Sequence, residues 1–470
     1  MAVAVTLTTT MTATTPAAPQ APERIAVPDT IDPTGETDVS AELGTFIALA
    51  PAGAIVEFAE AATYRIDAGL EIRRVGSITI DGNDATLLAP DDGATADPPR
   101  RAQRSRWPRN RRMLAIVGTD QVTIRDLTID GPNPRATFVP ELEGQAGVFV
   151  ARSNFVTLDR IAVREVYGDG VYVTGTSQAV VVVNSEFESI GRQGIAIVQG
   201  TDIQITANSF DKVARSVVDV EPTRNAEVRN VDIRDNTIGD YENFALAAAG
   251  GGPNVDDIVF TDNSITGGRG LSVFAGVPRQ PRSGLTITNN RSQVPSTAAI
   301  GPTPLQITNY SEVTIERNTS TVTNGTDVVT LNAVCAVEIA DNVWPGARRE
   351  VVEIADCGAL AEPPPTVAIP PRTTQPTDPN ASTSTSTAAP AVTKSPPAHR
   401  DPDSPDSPDN PDNPDNLDKP GDDGDDAVPA GAALVIGLVL GALGMLVLQR
   451  RASRAPGALA DSNDADRQAR

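Results

Sequence analysis

The sequence has almost no histidine or cysteine, the residues on which many catalytic and metal-binding sites depend. It contains one histidine and two cysteines among 470 residues. The histidine, His399, stands in a stretch rich in Pro and Asp that cannot build a core. The folded part of the chain therefore has no imidazole for general-base work, which excludes serine-hydrolase triads, and too few thiolates for a zinc site.

Cationic residues are scarce as well, and the acidic excess is unevenly placed. The formal net charge is −23, from 38 Lys and Arg against 61 Asp and Glu. Much of this excess comes from the eleven aspartates between Asp401 and Asp426. Such a balance argues against a general nucleic-acid-binding protein.

Composition divides the chain into a part that can form a core and a part that cannot. Residues 1–36 are interpreted as a leader that carries the remnant of an export signal. Residues 37–360 hold alternating apolar patterns and form the predicted folded domain. Residues 361–426 are rich in Pro, Thr and Asp, and we expect them to form a disordered stalk.

One long uncharged run follows the stalk. Ala427 to Leu448 contains no charged residue, and as a helix it would span about 33 Å, the thickness of a bilayer core. Arg450, Arg451 and Arg454 come directly after it. The positive-inside rule then places the tail, residues 449–470, in the cytoplasm. The sequence predicts a single-pass protein of the cell membrane with its folded domain outside the cell.

A short helix is predicted ahead of the strands. Over Val39–Leu49, the residues Leu43, Phe46 and Ile47 fall on one face at helical spacing. Asp38 can cap the first turn of this helix. Such a helix suits a cap over the open end of a stacked core.

Short apolar–polar–apolar segments recur through the folded region. Asparagines follow most of them at intervals of 24 to 28 residues, which fits one coil of a parallel β-helix. Each coil shows two or three short strands and no helical periodicity, unlike leucine-rich repeats. The segments are Ile78–Ile80, Val122–Ile124, Val156–Leu158, Val180–Val183, Ile203–Ile205, Val231–Ile233, Ile258–Phe260, Leu285–Ile287, Val313–Ile315 and Val337–Ile339.

These segments, with Gly53–Phe58 and the coil Val217–Pro222, resemble the right-handed parallel β-helix proteins of the pectin-lyase-like superfamily over about Thr37–Gly358. The predicted fold is all-β, a right-handed parallel β-helix of about ten coils with an N-terminal capping helix. The lack of histidine excludes the chemistry of polygalacturonase-like and epimerase-like relatives. Carboxylate, arginine, lysine and tyrosine chemistry remains, and the pectate-lyase-like relatives imply calcium as the one candidate cofactor.

Two carboxylates on one strand form the predicted catalytic pair. If Val218 and Val220 point inward, Asp219 and Glu221 point outward, about 6.5 to 7 Å apart along the strand. That spacing suits acid and base roles in glycoside hydrolysis or a calcium clamp, although Asp-x-Glu-Pro could instead be a turn feature. The predicted substrate-binding residues around the pair are Tyr172, Asp169, Arg192, Gln193, Lys212, Arg215, Tyr241 and Arg269.

An arginine-rich insertion is expected between the first and second coils, roughly at residues 89–113. Its arginines surround one tryptophan and predict a clamp for an anionic polymer, with the indole stacked on a ring. A surface loop without function, or docking of the aspartates of the stalk, would explain the same charges. The predicted patch comprises Arg100, Arg101, Arg104, Arg106, Trp107, Arg109, Arg111 and Arg112.

The two cysteines, Cys335 and Cys357, fall on neighbouring coils of the predicted β-helix. In an oxidising compartment a disulfide between them would close the C-terminal coils and contribute about 3 kcal/mol. Two buried free thiols are the alternative.

Two functions fit these features. The first is a surface-anchored protein that binds an extracellular polysaccharide and could also cleave it, as a polysaccharide lyase or a glycoside hydrolase. The second is a non-catalytic adhesin or cell-wall-binding module in which the β-helix is a rigid rod. The expected partners are a polysaccharide or cell-wall polymer and the membrane, and no nucleic acid.

Overall fold

The computed structural model describes residues 21–73, 76–100, 104–223, 225–252, 254–267, 269–278, 280–293, 305–321 and 326–355. All of them belong to the first of the two units into which the chain divides, Met1–Ala361. The predicted stalk and membrane helix lie outside the described residues. Within the described ranges, no helix has the length and apolar character needed to cross a membrane.

The N-terminal part contains one α-helix and the first short strands. Two 3₁₀ helices, Arg104–Arg106 and Pro140–Leu142, lie in the connections between later strands. The elements up to the second full coil are β1 (Arg24–Ala26), β2 (Thr34–Asp38), α1 (Ser40–Leu49), β3 (Ile55–Glu57), β4 (Thr63–Arg65), β5 (Leu70–Arg73), β6 (Ile78–Leu88), β7 (Leu114–Val117) and β8 (Val122–Asp130).

The remaining elements are all strands, and they repeat in the order expected of coils. They are β9 (Val148–Ala151), β10 (Asn154–Arg164), β11 (Val171–Thr174), β12 (Ser177–Val183), β13 (Glu186–Ile190), β14 (Ile195–Ile197), β15 (Gly200–Thr206), β16 (Ser209–Val213), β17 (Val218–Val220), β18 (Glu227–Arg234), β19 (Thr237–Ile238), β20 (Leu246–Ala248), β21 (Asn254–Thr261), β22 (Ser264–Ile265), β23 (Val273–Ala275), β24 (Arg282–Thr288), β25 (Arg291–Ser292), β26 (Leu305–Thr308), β27 (Tyr310–Glu316), β28 (Thr319–Ser320), β29 (Thr326–Asn332), β30 (Cys335–Ala340) and β31 (Ala347–Ala355).

Parallel pairing stacks equivalent strands of successive coils into two sheets. Sheet B contains eleven strands in the order β5-β7-β9-β11-β14-β17-β20-β23-β26-β29-β31, and sheet A contains the other twenty. Sheet A bends within each coil: β10, for example, turns at Arg160, whose φ is 51°, and then pairs with β13 instead of β12. Parallel crossovers of this kind are right-handed. The predicted right-handed parallel β-helix is thus confirmed.

Apolar side chains of every coil meet inside the solenoid. Val180, Ile203 and Val231 share one register position and are fully buried. Phe187 and Phe210 stack with ring centroids 4.9 Å apart. One continuous core results, because each coil buries its apolar positions against the coils on either side.

The two ends of the described solenoid differ. At the N-terminal end, α1 buries Leu43 and Ile47, and the Asp38 carboxylate accepts a hydrogen bond of 3.0 Å from the Ser40 N–H. The predicted helix is present and begins one residue later than expected. At the other end Cys335 is disulfide-bonded, and Cys357, the only other cysteine of the sequence, lies outside the described residues.

A ladder of buried asparagines marks one corner of the coils. The Asn263 side chain donates to the Oδ1 of Asn290 at 2.9 Å and to the Ile233 carbonyl at 3.1 Å, while its own Oδ1 accepts from Asn236. The same pattern links the whole series. Its members are Asn208, Asn236, Asn263, Asn290, Asn318 and Asn342.

Candidate functional site

The outer face of sheet B presents one row of side chains that is aligned across the coils. Asp219 stands in this row with an alanine on each neighbouring strand, Ala196 and Ala247, and the residue is partly exposed although surrounding groups remove most water from its carboxylate. Aromatic rings follow on both sides. In register, the row reads Glu71, Ala115, Phe149, Tyr172, Ala196, Asp219, Ala247 and Phe274.

Arg192 joins two carboxylates next to this row. Its Nη1 lies 3.0 Å from Asp169 Oδ2 and 3.0 Å from Glu221 Oε1, and its Nη2 donates to Glu221 Oε2 at 3.1 Å. The Asp169 side chain is 2% exposed, whereas those of Arg192 and Glu221 are 19% and 23% exposed. The guanidinium thus fixes a buried acid on one side and holds Glu221 near the surface on the other.

Gln193 connects the second carboxylate of the predicted pair to the same cluster. Its backbone N–H donates to Asp169 Oδ1 at 3.0 Å, and its Nε2 donates to Asp219 Oδ2 at 2.9 Å. The Gln193 Oε1 is buried and has no hydrogen-bond partner within the described structure.

Burial changes the acidity of this cluster, which holds three carboxylates and one guanidinium. Desolvation raises the pKa of Asp169 to about 7, against the opposing charge of Arg192. Desolvation, reinforced by the charge of Glu221, raises the pKa of Asp219 to about 7 as well. Asp219 can therefore carry a proton near neutral pH and release it, which is the property of a general acid.

The cluster is not arranged as a metal site. The guanidinium of Arg192 lies between Asp169 and Glu221 and occupies oxygens of both carboxylates that a metal ion would need as ligands. Among the described residues, no group of three or more His, Cys, Asp or Glu side chains is placed to hold a metal ion. These residues therefore give no support to a calcium clamp.

An aromatic and cationic stack extends the site toward the N-terminal coils. The guanidinium of Arg112 lies 3.5 Å from the centroid of the Phe149 ring, and Phe149 stacks on Tyr172 at 5.6 Å. Alanines beside these rings form a small apolar cluster outside the main core. Phe149 is not among the residues predicted from the sequence. Its register position, one coil before Tyr172, is the feature that identifies it as part of the same row.

Several predicted substrate-binding residues do not join the cluster. Lys212 lies in β16 on sheet A and pairs with Glu188 at 2.6 Å. Tyr241 is buried in the core, where its hydroxyl donates to the Gly270 carbonyl. Arg269 is partly exposed near Tyr241. The guanidinium carbon of Arg215 lies 4.2 Å from the centroid of the Phe138 ring.

The arginine-rich insertion is held together by its own contacts. Arg111 is fully buried and donates to the backbone carbonyls of Asp67 and Asp91, and Arg109 pairs with Glu143. The Trp107 indole donates to the carbonyls of Gly93 and Ala96 at 3.1 and 3.0 Å. These residues stabilise the insertion and do not form an open clamp.

The rest of the predicted patch is divided between the surface and the sheet B face. Arg100 and Arg104 are exposed, Arg106 is partly exposed, and Arg112 stacks on Phe149. Arg101 lies outside the described residues. The seven described residues of the predicted patch therefore do not form one cationic surface.

Comparison with protein families gives one match to part of the chain. Residues 113–320 match the family described as the right handed beta helix region, a range that contains Asp169, Arg192, Asp219 and Glu221. The expected resemblance to right-handed parallel β-helix repeat proteins is thereby confirmed. A comparison with curated proteins gives no match.

Solved structures that resemble the chain include proteins of different activities. The surface protein and adhesin PfbA of Streptococcus pneumoniae has 14% identity, with 71% of this chain and 99% of that chain covered and a TM-score of 0.49. Endo-xylogalacturonan hydrolase from Aspergillus tubingensis has 13% identity, with 70% and 95% covered and a TM-score of 0.46. The mannuronan C-5 epimerase A-module from Azotobacter vinelandii has 16% identity, with 69% and 98% covered and a TM-score of 0.42. Likeness at this level assigns no activity.

Proposed function

We propose that the chain binds an extracellular polysaccharide along the outer face of sheet B, with Asp219 and Glu221 at the centre of the binding site. The observation that carries this proposal is the aligned row in which a partly exposed carboxylate lies between alanines and aromatic residues. Equivalent positions repeat about every 4.8 Å along the solenoid, so an extended polymer meets similar surface on successive coils. Aromatic residues offer apolar contact to sugar rings, and the carboxylates accept hydrogen bonds from hydroxyl groups.

The contacts of the ionic cluster support this role because they preorganise its polar groups. Arg192 holds Glu221 through two hydrogen bonds of 3.0 and 3.1 Å, and Gln193 holds Asp219 at 2.9 Å. A ligand therefore meets carboxylates with fixed positions and loses less free energy in ordering them.

Cleavage is the second candidate function, and it is favoured by one specific observation. Burial raises the pKa of Asp219 to about 7, so this group can donate a proton to a leaving oxygen at neutral pH. Glu221 follows two residues later, directly after the end of β17. Two residues of extended chain span about 6.5 to 7 Å, a separation that suits a general base acting through water. The corresponding reaction class is glycoside hydrolysis; abstraction of a proton by one of the carboxylates would instead make the chain a polysaccharide lyase.

The test is a binding and product screen with the purified full-length protein and a panel of plant, algal and bacterial wall polysaccharides. Binding is measured directly, and products are read as new reducing ends or unsaturated ends, with and without calcium. We expect Asp219→Asn and Glu221→Gln each to weaken binding by about tenfold or more. Glu188→Gln, a carboxylate on sheet A, is the matched control and should bind like the wild type.

The outcomes separate the candidate functions. If the wild type produces new polysaccharide ends and Asp219→Asn does not, the protein is an enzyme. Unsaturated ends then indicate a lyase, and reducing ends without unsaturated ones indicate a hydrolase. Binding without products, but sensitive to both substitutions, establishes a non-catalytic adhesin or wall-binding module. If no polysaccharide binds, or if the variants bind as tightly as the wild type, the proposal is wrong.

We also propose that the chain is anchored in the cell membrane with the β-helix outside. The support is in the sequence: the uncharged run 427–448 is followed by Arg450, Arg451 and Arg454. Protease added to intact cells should digest the β-helix domain and leave an epitope tag at the C-terminus intact. Recovery of the protein in the soluble fraction, with both ends protected in intact cells, would contradict this location.

A further inference from the structure

Phe155 is an unusual residue on sheet A. Its side chain is 59% exposed, and its φ of 56° puts it in the left-handed region. Among the described non-glycine residues with positive φ, it is the only aromatic one. An exposed aromatic ring gains nothing from core packing, and a bulky side chain is disfavoured at this backbone angle. Neither local structure nor core packing explains a phenylalanine at this position.

The neighbours of Phe155 in the stack form a continuous strip on sheet A. Register places Ala179 on the next coil, followed by Asp202, Asn230 and Asp257 on the three after that. The strip therefore extends about 19 Å from Phe155 to Asp257, at about 4.8 Å per coil. Ala179 is small and leaves the space beside the ring open.

A concave surface lies in the polar half of this strip. Its volume is about 280 Å³, close to the lower end of the range for small-molecule sites. The Asp202 carboxylate accepts hydrogen bonds from Asn230 at 2.9 Å and from Gln178 at 3.0 Å, which fixes its orientation. The polar side chains that line the concavity are Asp202, Gln204, Asn230, Asp232, Arg234 and Asp257.

We propose that Phe155 and the adjacent concavity form a second binding site, on sheet A, for a neutral oligosaccharide. The ring of Phe155 packs against the apolar face of one sugar, and the carboxylate and amide groups of the concavity bind hydroxyl groups of the sugars that follow. This site shares no residue with the sheet B face and does not rest on the function proposed there.

The surroundings of Phe155 favour a saccharide over a protein partner. The other exposed large apolar residues of the described chain are Leu49, Val343 and Val351, which lie near the two ends of the described solenoid. Phe155 is therefore an isolated ring bordered by polar groups. A stable protein interface buries a surface of more than about 1,000 Å² with a larger apolar centre, which this strip does not offer.

The test measures binding of neutral hexasaccharides of β-1,4-glucose, α-1,4-glucose, β-1,4-xylose and β-1,4-mannose to the full-length protein, with hexagalacturonate as the anionic comparison. We expect at least one neutral hexasaccharide to bind, and Phe155→Ala to weaken its binding by about tenfold or more. Phe155→Trp should stay within about threefold of the wild type because it keeps an aromatic face. Leu49→Ala, which removes an even more exposed apolar side chain elsewhere, is the control and should have no effect.

The remaining variant probes the polar half of the strip. Gln204→Ala should weaken binding of the same hexasaccharide. It should not change the melting temperature of the protein, because the Gln204 side chain is exposed and lines the concavity. The proposal is overturned if no neutral hexasaccharide binds, if only hexagalacturonate binds, or if Phe155→Ala binds as tightly as the wild type.

Discussion

At the scale of single residues, Arg192 organises the candidate site. It contacts Asp169, which is buried, and Glu221, which reaches the surface, so one guanidinium connects the interior of a turn to the outer face of sheet B. Removing one partner of such a buried group leaves an unpaired charge, which costs more free energy than the pair contributes. The cluster is therefore more sensitive to truncation of Arg192 than the exposed ion pairs elsewhere on the coils.

We expect Arg192→Ala to lower the free energy of unfolding by about 3 kcal/mol at pH 8, because it leaves the Asp169 carboxylate buried without its cation. The loss should shrink at pH 5, where Asp169 can take up a proton. Urea unfolding of the wild type and the variant at both pH values measures the difference in the free energy of unfolding. Arg164→Ala is the matched control: it breaks an exposed pair with Asp130 and should cost less than about 1 kcal/mol. Equal losses for the two variants would show that the cluster is not buried in solution.

The pH dependence of stability follows from the direction of the Asp219 shift. Because its pKa is raised to about 7 in the folded state, the folded protein binds this proton more tightly than the unfolded chain does. The contribution of this proton to the free energy of unfolding is fully present below the unfolded pKa of about 4 and is lost as pH rises toward 7.

The stability of the wild type should accordingly fall with pH in this window more steeply than that of Asp219→Asn. The difference in slope is at most about 1.4 kcal/mol per pH unit. It is measured by denaturant unfolding of both proteins between pH 4 and pH 8. Parallel curves would mean that Asp219 titrates normally, and the case for a general acid would fail.

At the scale of elements, pairing between neighbouring coils stabilises the fold. Each strand pairs with its equivalents one coil before and after, and the asparagine ladder satisfies backbone groups at one corner. Asn184 shows that a shift of one residue is enough to exclude an asparagine from the ladder. It precedes Asn208 by 24 residues, which matches the spacing of the asparagines, yet Ser185 occupies the ladder position and donates its N–H to Asn208 Oδ1. The Asn184 side chain donates instead to Asp159 at the surface.

The ladder predicts a large difference between two asparagines. Asn263→Ala removes one acceptor of the buried Asn236 amide and the side-chain donor to the Ile233 carbonyl, so we expect a loss of about 3 kcal/mol in the free energy of unfolding. Asn184→Gly keeps the positive φ of 53° and removes only an exposed contact, so it should cost about 0.5 kcal/mol or less. Thermal or urea unfolding compares them. A similar, small loss in both would show that the ladder does not stabilise the coils.

The sequence predicts the elements well and the site in part, for physical reasons. Alternation reveals which residues face the core, so the segments from Ile78–Ile80 to Val337–Ile339 could be placed in register. It does not reveal which face of the coil a polar residue occupies. Lys212 was predicted beside Arg192 because both were expected next to the ends of sheet B strands, yet Lys212 lies in β16 on sheet A. Arg111 was predicted in the cationic patch, but it is fully buried and donates to the Asp67 and Asp91 backbone carbonyls as well as to the Asp91 carboxylate. No side-chain pattern in the sequence shows bonds to backbone carbonyls.

At the scale of the whole molecule, the β-helix offers several long faces to extended ligands. The sheet B face carries the ionic cluster and the aromatic row, and the sheet A strip carries Phe155. A repeating scaffold with sites on different faces can engage more than one segment of a polymer at once, which raises the effective concentration of the second contact. This arrangement fits a surface protein that holds a polysaccharide, with or without cleaving it.

The most direct test of the central claim is hydroxyl-radical footprinting of the full-length protein, with and without a polysaccharide that binds it in the screen. The claim is that the outer face of sheet B is the binding face. Tyr172 and Phe274, which are partly exposed in its central row, should become protected by at least about threefold. Leu49, at the N-terminal end, should stay unchanged. Unchanged labelling of Tyr172 and Phe274 in the presence of a bound polymer would contradict the account.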